Sequence, residues 1–253
     1  MRYFWLSFHL PYRCRHSGAC CTAGWPIPVE PERAVLIKHG EWLGDGGTLP
    51  RDANGACVFH DGQCTVYEHR PLACVHFPYV CLIDPRGVHV TLSHYCPTAA
   101  SLLFEDHGPI EIVEGPPPIP SLEIPEGLDA RESLPPLREQ SASRKPQAAS
   151  PMLMSWDEFS QWERKELRTL PALVGDVPFA PVLERYLAAK IFASWAAHEE
   201  GDGLTSIRLL ARAAYQRLLD EMELGSRLAG RPVDCEILLQ AIRRVDFGLF
   251  HLR

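Results

Sequence analysis

The cysteines of this chain are concentrated in its N-terminal part. Eight of the nine lie within the first hundred residues, and only Cys235 stands apart. They fall into two groups, one in CRHSGACC and one between residues 57 and 96, which comprise Cys14, Cys20, Cys21, Cys57, Cys64, Cys74, Cys81 and Cys96. An odd number of cysteines without an export signal does not fit a disulfide framework. The sequence therefore predicts a cytoplasmic protein whose reduced thiolates are available to bind metal.

Charge and hydropathy narrow the function classes. The N-terminal segment MRYFWLSFHLPYRC has no small-residue cleavage site before Cys14, so we interpret it as mature protein. No apolar run approaches the roughly 20 residues that a membrane helix needs. The formal net charge is -7 and no basic stripe is visible, which argues against phosphate-driven nucleic-acid binding. We expect neither a membrane span nor a nucleic-acid partner.

Thiolate chemistry gives several alternatives for the cysteines. Thiolates select zinc, copper(I) or iron–sulfur clusters. The chain lacks the C-x2-C pairs that are typical of structural zinc sites, and it lacks ferredoxin-type runs. Eight cysteines exceed one tetrahedral site, so the pattern indicates a cluster with spare thiols or more than one metal centre. The bland alternative is a set of buried, reduced thiols.

Local signals suggest how the second cysteine group is presented. Asp61-Gly62 is a tight-turn signal, which predicts a small hairpin with Cys57 and Cys64 facing each other across the turn. Arg70-Pro71 opens a short helix or turn that presents Cys74. The alternation in GVHVTLSHYC predicts a strand that leads to Cys96. Three sequence-distant pieces are thus expected to converge.

Some candidate ligands carry less support. Neighbouring side chains point apart in extended backbone, so Cys20 and Cys21 are not expected to bind one ion together. Histidines in the same region could replace a thiolate, although an ordinary hydrogen-bonded role is the better expectation for each; these are His60, His69, His76, His89 and His94. Cys235 is expected to be a small buried hydrophobe.

The chain divides by composition into three parts. Residues 1–114 form the Cys-rich module, with a short strand within Arg2–Leu10 and a helix from about Pro31 to His39. Residues 115–151 contain nine prolines and are predicted to be a linker or wrapping arm. Residues 152–253 show helical periodicity. The predicted fold is mainly α, with an irregular Cys-rich metal-binding module that contains short β-hairpin elements, followed by a C-terminal antiparallel helical bundle.

Four helices are predicted in the bundle. Ser155 and Glu158 form a capping box before an apolar stripe. The three helices that follow are expected at about 181–198, 204–224 and 234–250, because apolar residues recur there at spacings of three and four. The short connections between them contain glycine or proline. We interpret the stripes as core packing.

The cysteine pattern resembles a known family. CRHSGACC followed by GW, then C-x6-C-x9-C with YEHRPLAC, then LSHYCP, is similar to the YkgJ-like cysteine-cluster proteins, which are described as zinc- or iron-chelating domains. Their hallmark is C-x2-C-x2-C-C, and Ser17 stands at the second cysteine position of this chain. LSHYCPTAASLLFEDHGPIEI and LERYLAAKIFASW are also similar to the flagellin lysine N-methylase branch of the family.

The resemblance implies a metal centre and suggests a reaction. It implies an iron–sulfur cluster, of the 4Fe–4S type, with zinc in a structural or interaction module as the alternative. The methylase branch further implies a protein lysine substrate and S-adenosylmethionine as donor, for which no G-x-G-x-x-G motif gives independent support. The hairpin and the family pattern together assign the ligands to Cys14, Cys20 or Cys21, Cys57, Cys64, Cys74 and Cys96. Cys81 is the weakest candidate because the family pattern does not require it.

Overall fold

Short elements make up the N-terminal part of the protein. The computed structural model describes residues 1–37, 47–119, 154–194 and 203–250. In chain order its elements up to residue 119 are β1 (Tyr3–Leu6), α1 (Ala19–Thr22), α2 (Pro31–Leu36), β2 (His60–Asp61), β3 (Gln63–Cys64), α3 (Leu72–His76), β4 (Tyr79–Asp84), β5 (Gly87–Leu92), α4 (Pro97–Ser101) and β6 (Ile112–Gly115).

A mixed four-stranded sheet organises these short elements. Its strand order is β4-β5-β1-β6. β1 pairs in parallel with β5, with Phe4 opposite His89, and antiparallel with β6. The parallel pairing needs a long crossover, and that crossover is the segment that carries most of the cysteines. The sheet therefore fixes both ends of the Cys-rich stretch.

Four described helices form the C-terminal half. α5 (Trp156–Val174) begins at the predicted capping box, where the Ser155 hydroxyl accepts the Glu158 N–H and Glu158 accepts the Ser155 N–H. The others are α6 (Ala180–Ile191), α7 (Leu204–Ala229) and α8 (Cys235–Phe250). The four helices pack in sequence, α5 on α6, α6 on α7 and α7 on α8. The predicted helical stripes are buried as expected, for example at Ile207 and Ile242.

One hydrophobic core joins the sheet to the helices. It combines Leu6, the last residue of β1, and Phe8, just after that strand, with Leu103 and with buried residues of all four C-terminal helices. Burying such side chains stabilises the fold by about 1.5–3 kcal/mol each. The sheet and the helices therefore share their main source of stability. The division into three parts at residues 114 and 151 stays a prediction.

Several boundaries differ from the sequence predictions. α6 ends at Ile191, because Phe192 is extended and Ala193 has a φ of 57°, and the rest of the predicted helix from residue 195 lies outside the described residues. Most of the predicted linker, residues 120–151, also lies outside them, as do the last residues of the helix predicted to reach His39. No helix in the described ranges is long and apolar enough to cross a membrane.

Candidate metal centre

The first cysteine group is presented on a tight helical turn. Gly18 has a φ of 72°, and a Cβ there would overlap the His60 imidazole. The single turn α1 follows, so Cys20 and Cys21 are consecutive helical residues. The side chains of consecutive helical residues point about 100° apart around the helix axis, whereas those of consecutive strand residues point to opposite faces. The assumption of extended backbone is therefore wrong here, and both residues line one cavity. The expectation that they do not bind one ion together stays a prediction.

The hairpin forms, but with a register that differs from the prediction. β2 and β3 are antiparallel, and Gly62 occupies the turn with a φ of 68°. His60, and not Cys57, lies opposite Cys64. The His60 N–H donates to the Cys57 carbonyl at 3.0 Å and closes a turn before β2. Cys57 therefore lies outside the two residue pairs that form the hairpin. The prediction that Cys57 and Cys64 face each other across the turn is therefore wrong in register.

Backbone contacts nevertheless connect the two cysteine groups. The Cys57 N–H donates to the Cys21 carbonyl at 2.8 Å. Cys74 lies on α3, whose first N–H, that of Leu72, donates to the Glu30 carboxylate at 3.1 Å. Cys96 directly precedes α4 as its N-cap residue. Elements distant in sequence are thereby held around a common space.

All seven predicted metal ligands line that space. It is a cavity of about 50 Å³, several times the roughly 10–15 Å³ that one water molecule needs. Apolar residues such as Ile27 and Phe77 complete its wall, together with Ser17 at the position of the missing family cysteine. The thiols that line it are those of Cys14, Cys20, Cys21, Cys57, Cys64, Cys74 and Cys96.

The two remaining cysteines lie elsewhere. Cys81 is buried on β4 among Trp5, Val88 and Val90 of the sheet. Cys235 is exposed as the first residue of α8. The expectation that Cys235 is a buried hydrophobe is therefore wrong. Both residues are outside the cavity lining.

The cavity thiols are electrostatically unequal. Hydrogen bonds with the Cys21 thiol lower the pKa of Cys20 and of Cys64, and the same bonds raise the pKa of Cys21. Burial raises the pKa of Cys57, and it raises the pKa of Cys74 to about 12. Without a cation, neutral thiols therefore stabilise neighbouring thiolates. A bound metal would replace these protons, since thiols coordinate as thiolates.

Two cavity residues were not predicted from the sequence. The Arg70 guanidinium stacks on the Tyr67 ring, with its central carbon 3.7 Å from the ring centroid. Its Nε is buried and has no hydrogen-bond partner among the described residues, and its charge favours the thiolates of Cys20 and Cys64. The buried Tyr12 hydroxyl lies 3.7 Å from Cys96 Sγ. No sequence motif marks either residue, because each reaches the cavity through the fold.

The histidines of the Cys-rich region lie largely outside the cavity lining. Of the described residues that line the cavity, His16 is the one histidine, and its backbone N–H donates to Cys14 Sγ at 3.4 Å. The five histidines considered as replacement ligands are not among the lining residues. His89 Nε2 instead lies 3.0 Å from an Asp84 oxygen, and His94 pairs with Asp246. Across the described ranges, no group of three or more His, Cys, Asp or Glu residues is arranged to hold a metal ion as it stands.

Comparison with known families agrees with this geometry. Residues 13–97 match the family model CxxCxxCC, described as a "Putative zinc- or iron-chelating domain". The matched range includes every cysteine of the cavity. This match covers about a third of the chain, and we refer to residues 13–97 as the CxxCxxCC domain after the model that they match. No curated protein and no solved structure matches the chain.

The CxxCxxCC domain departs from its family name at one position. Cys14, Cys20 and Cys21 fit the first, third and fourth cysteines of the motif, and Ser17 stands at the second. Ser17 lines the cavity with them. The comparisons do not extend to the flagellin lysine N-methylase branch, and that likeness stays a prediction.

Proposed function

We propose that the CxxCxxCC domain binds a metal centre through the cavity thiols, in the form of a 4Fe–4S iron–sulfur cluster. The observation that carries this proposal is the convergence of seven thiols from separate elements on one cavity. Soft thiolates select iron–sulfur clusters, zinc or copper(I) over harder cations. When bound, an iron–sulfur cluster would supply one-electron chemistry or a Lewis-acidic iron.

The residues divide into an inner and an outer group. The pKa values of Cys20 and Cys64 each respond to Cys21, and the pKa of Cys74 responds to Cys20, Cys57 and Cys64. These five form the inner group. Cys14 and Cys96 form the outer group, beside Tyr12. A 4Fe–4S cluster and a zinc ion each take about four protein ligands. We assign the primary centre to thiols of the inner group. Cys14 and Cys96 would be further ligands, either to the same centre or to a second metal.

Structural zinc is the alternative. The small elements near the cavity favour a role in folding, since α1 has four residues and β2 and β3 have two each. Among the described residues, their local core has five buried members, two of which are Cys21 and Cys57, and partly buried residues pack against it. A module with so little apolar core gains most of its stability from metal, whose binding free energy becomes folding free energy. The domain would then be a scaffold or interaction module.

An enzymatic role is a further step. Methylation of protein lysines, with S-adenosylmethionine as donor, rests on the sequence resemblance alone. Electron transfer or substrate activation by the cluster requires only the metal centre itself. Electron transfer depends on iron, because zinc has no redox chemistry, so the identity of the metal is the first question.

Elemental analysis of anaerobically purified protein tests the proposal. Iron and acid-labile sulfide in similar amounts support the cluster, zinc alone supports the structural alternative, and the absence of both metals refutes metal binding. The Cys64→Ser and Cys74→Ser variants should lose most of the metal. Cys81→Ser and Cys235→Ser are matched controls that change thiols outside the cavity and should retain it. Full metal content in Cys74→Ser would contradict the ligand assignment.

A further inference from the structure

One face of α8 contacts the segment that carries Cys96. Arg243, Asp246 and Phe247 are spaced three and four residues apart, so they project from the same side of the helix. This face meets His94 and Tyr95, which directly precede Cys96. α4 begins directly after Cys96 and also packs against α8. The C-terminal helix thus holds the chain on both sides of a predicted metal ligand.

Asp246 provides a buried anchor for this contact. Its carboxylate accepts the His94 backbone N–H at 2.6 Å and lies 3.2 Å from His94 Nδ1. The other carboxylate oxygen accepts the Lys190 ammonium at 2.5 Å and the Tyr186 hydroxyl at 3.2 Å. All four side chains are at most 5% exposed. Residues of α6 therefore fix the carboxylate that accepts the backbone N–H of His94 in the CxxCxxCC domain.

Arg243 and Phe247 extend the contact toward the cavity. Arg243 Nε donates to the Tyr95 carbonyl at 3.0 Å, and its guanidinium lies 5.3 Å from the Tyr95 ring centroid. The Phe247 ring is 5.0 Å from that of Tyr95 and stacks 6.1 Å from that of Trp25. Trp25 itself follows Cys21 by four residues. α8 therefore touches the backbone next to Cys96 and an aromatic residue close to the first cysteine group.

We propose that Arg243, Asp246 and Phe247 are positioning residues for the metal centre, so that metal binding and the docking of α8 stabilise each other. The proposal rests on the proposed metal-binding function. Residues that contact a metal ligand without binding the metal themselves determine the direction in which the ligand atom points. Because the coupling is reciprocal, bound metal must also stabilise α8 in its docked position. The family match ends at residue 97, so this role lies outside the matched domain.

The chain offers a matched pair of variants. Arg243→Met removes the hydrogen bond to the Tyr95 carbonyl and keeps an apolar stem of similar length. Arg244→Met makes the same change one residue later, where the arginine donates to Glu221 of α7 instead. The measurement is the rate at which a chelator removes the metal from each protein as purified. We expect about tenfold faster loss from Arg243→Met, in line with other residues that support metal ligands, and an unchanged rate for Arg244→Met.

Hydrogen exchange on the unmutated protein gives a second readout that does not depend on the folding of a variant. Protection of amides in Cys235–Phe250 is compared between the metal-bound and metal-free protein, with α5 as the reference helix. We expect metal to slow exchange in α8 more than in α5. Equal metal loss from the two arginine variants, or a metal effect confined to residues 13–97, would overturn the coupling while leaving metal binding intact. A purified protein without metal would instead refute the proposed function.

Discussion

Replacement of Asp246 by alanine should reveal the cost of leaving buried groups, the Lys190 ammonium above all, without their acceptor. The Asp246 carboxylate is fully buried. Burial alone would raise its pKa, but Lys190 and His94 more than offset this effect and keep the pKa well below its usual range. The ionised carboxylate in turn opposes the fall in the pKa of Lys190 that burial causes. Asp246→Ala therefore removes the charge that neutralises a buried ammonium.

The magnitude follows from the groups that lose their acceptor. Removing one partner of a buried ion pair destabilises a protein by about 3–5 kcal/mol. The Tyr186 hydroxyl and the His94 backbone N–H lose the same acceptor, so we expect a value at the upper end, about 4–5 kcal/mol. For a chain of this size, each kcal/mol lowers the melting temperature by about 2–4 °C. The melting temperature should fall by about 8–20 °C.

Urea unfolding monitored by circular dichroism measures this change. Asp220→Ala is the control, since Asp220 is an exposed aspartate whose carboxylate accepts from Gln216 on the same helix. This change should alter stability by no more than about 0.5 kcal/mol. The double variant Lys190→Met, Asp246→Leu removes both charges and should recover much of the loss. A loss below about 1 kcal/mol in Asp246→Ala would refute the reasoning, as would a double variant no more stable than the single one.

Two further predictions concern the module itself. Gly18→Ala should destabilise the protein by about 1–3 kcal/mol through left-handed backbone strain and overlap with His60. Gly24→Ala, with a similar φ of 81° but open space around it, isolates the strain; equal melting temperatures for the two variants would contradict the overlap. Burial would raise the pKa of Asp84, but hydrogen bonds, that from His89 first, lower it to about 2. Because the pKa of Asp84 is lower in the folded than in the unfolded protein, its ionised carboxylate stabilises the fold by about 2 kcal/mol above about pH 4. This stabilisation is lost as the pH falls toward 2. The difference in free energy of unfolding between the native protein and Asp84→Asn, measured by urea unfolding, should therefore become smaller from pH 6 to pH 3. A difference that stays constant over this range would contradict the lowered pKa of Asp84.

Sequence reasoning succeeded where a feature depends on neighbours along the chain. The capping box at Ser155 and Glu158 predicted the start of α5, because its hydrogen bonds span three residues. Gly62 marked the hairpin turn for the same reason. The count and clustering of cysteines predicted that they converge, and all seven candidates line one cavity, while their role as metal ligands stays a prediction. In each case the signal was local or required only that the chain be compact.

It failed where the answer depended on the exact backbone conformation or on distant contacts. Whether Cys20 and Cys21 diverge depends on a helical turn after a left-handed glycine, which CRHSGACC does not specify. The register that places His60 opposite Cys64 is decided by one tight turn, and a shift of one residue exchanges the faces of a strand. Asp246 lies 152 residues from its partner His94, and no local pattern predicts such a contact.

Buried charges at the boundary between the sheet and the helices explain how this fold can position a metal site. Arg86, in the turn between β4 and β5, pairs with Asp84 and with Glu163 of α5, each at 2.6 Å. Asp246 provides the corresponding contact on α8. Buried ion pairs add little net stability compared with apolar packing, so the shared hydrophobic core, and not these pairs, holds the two halves together. Ion pairs and hydrogen bonds are directional, however, and apolar contacts are not. The pairs therefore fix the orientation of the helices on the sheet, and with it the place of Cys96 beside the other cavity thiols.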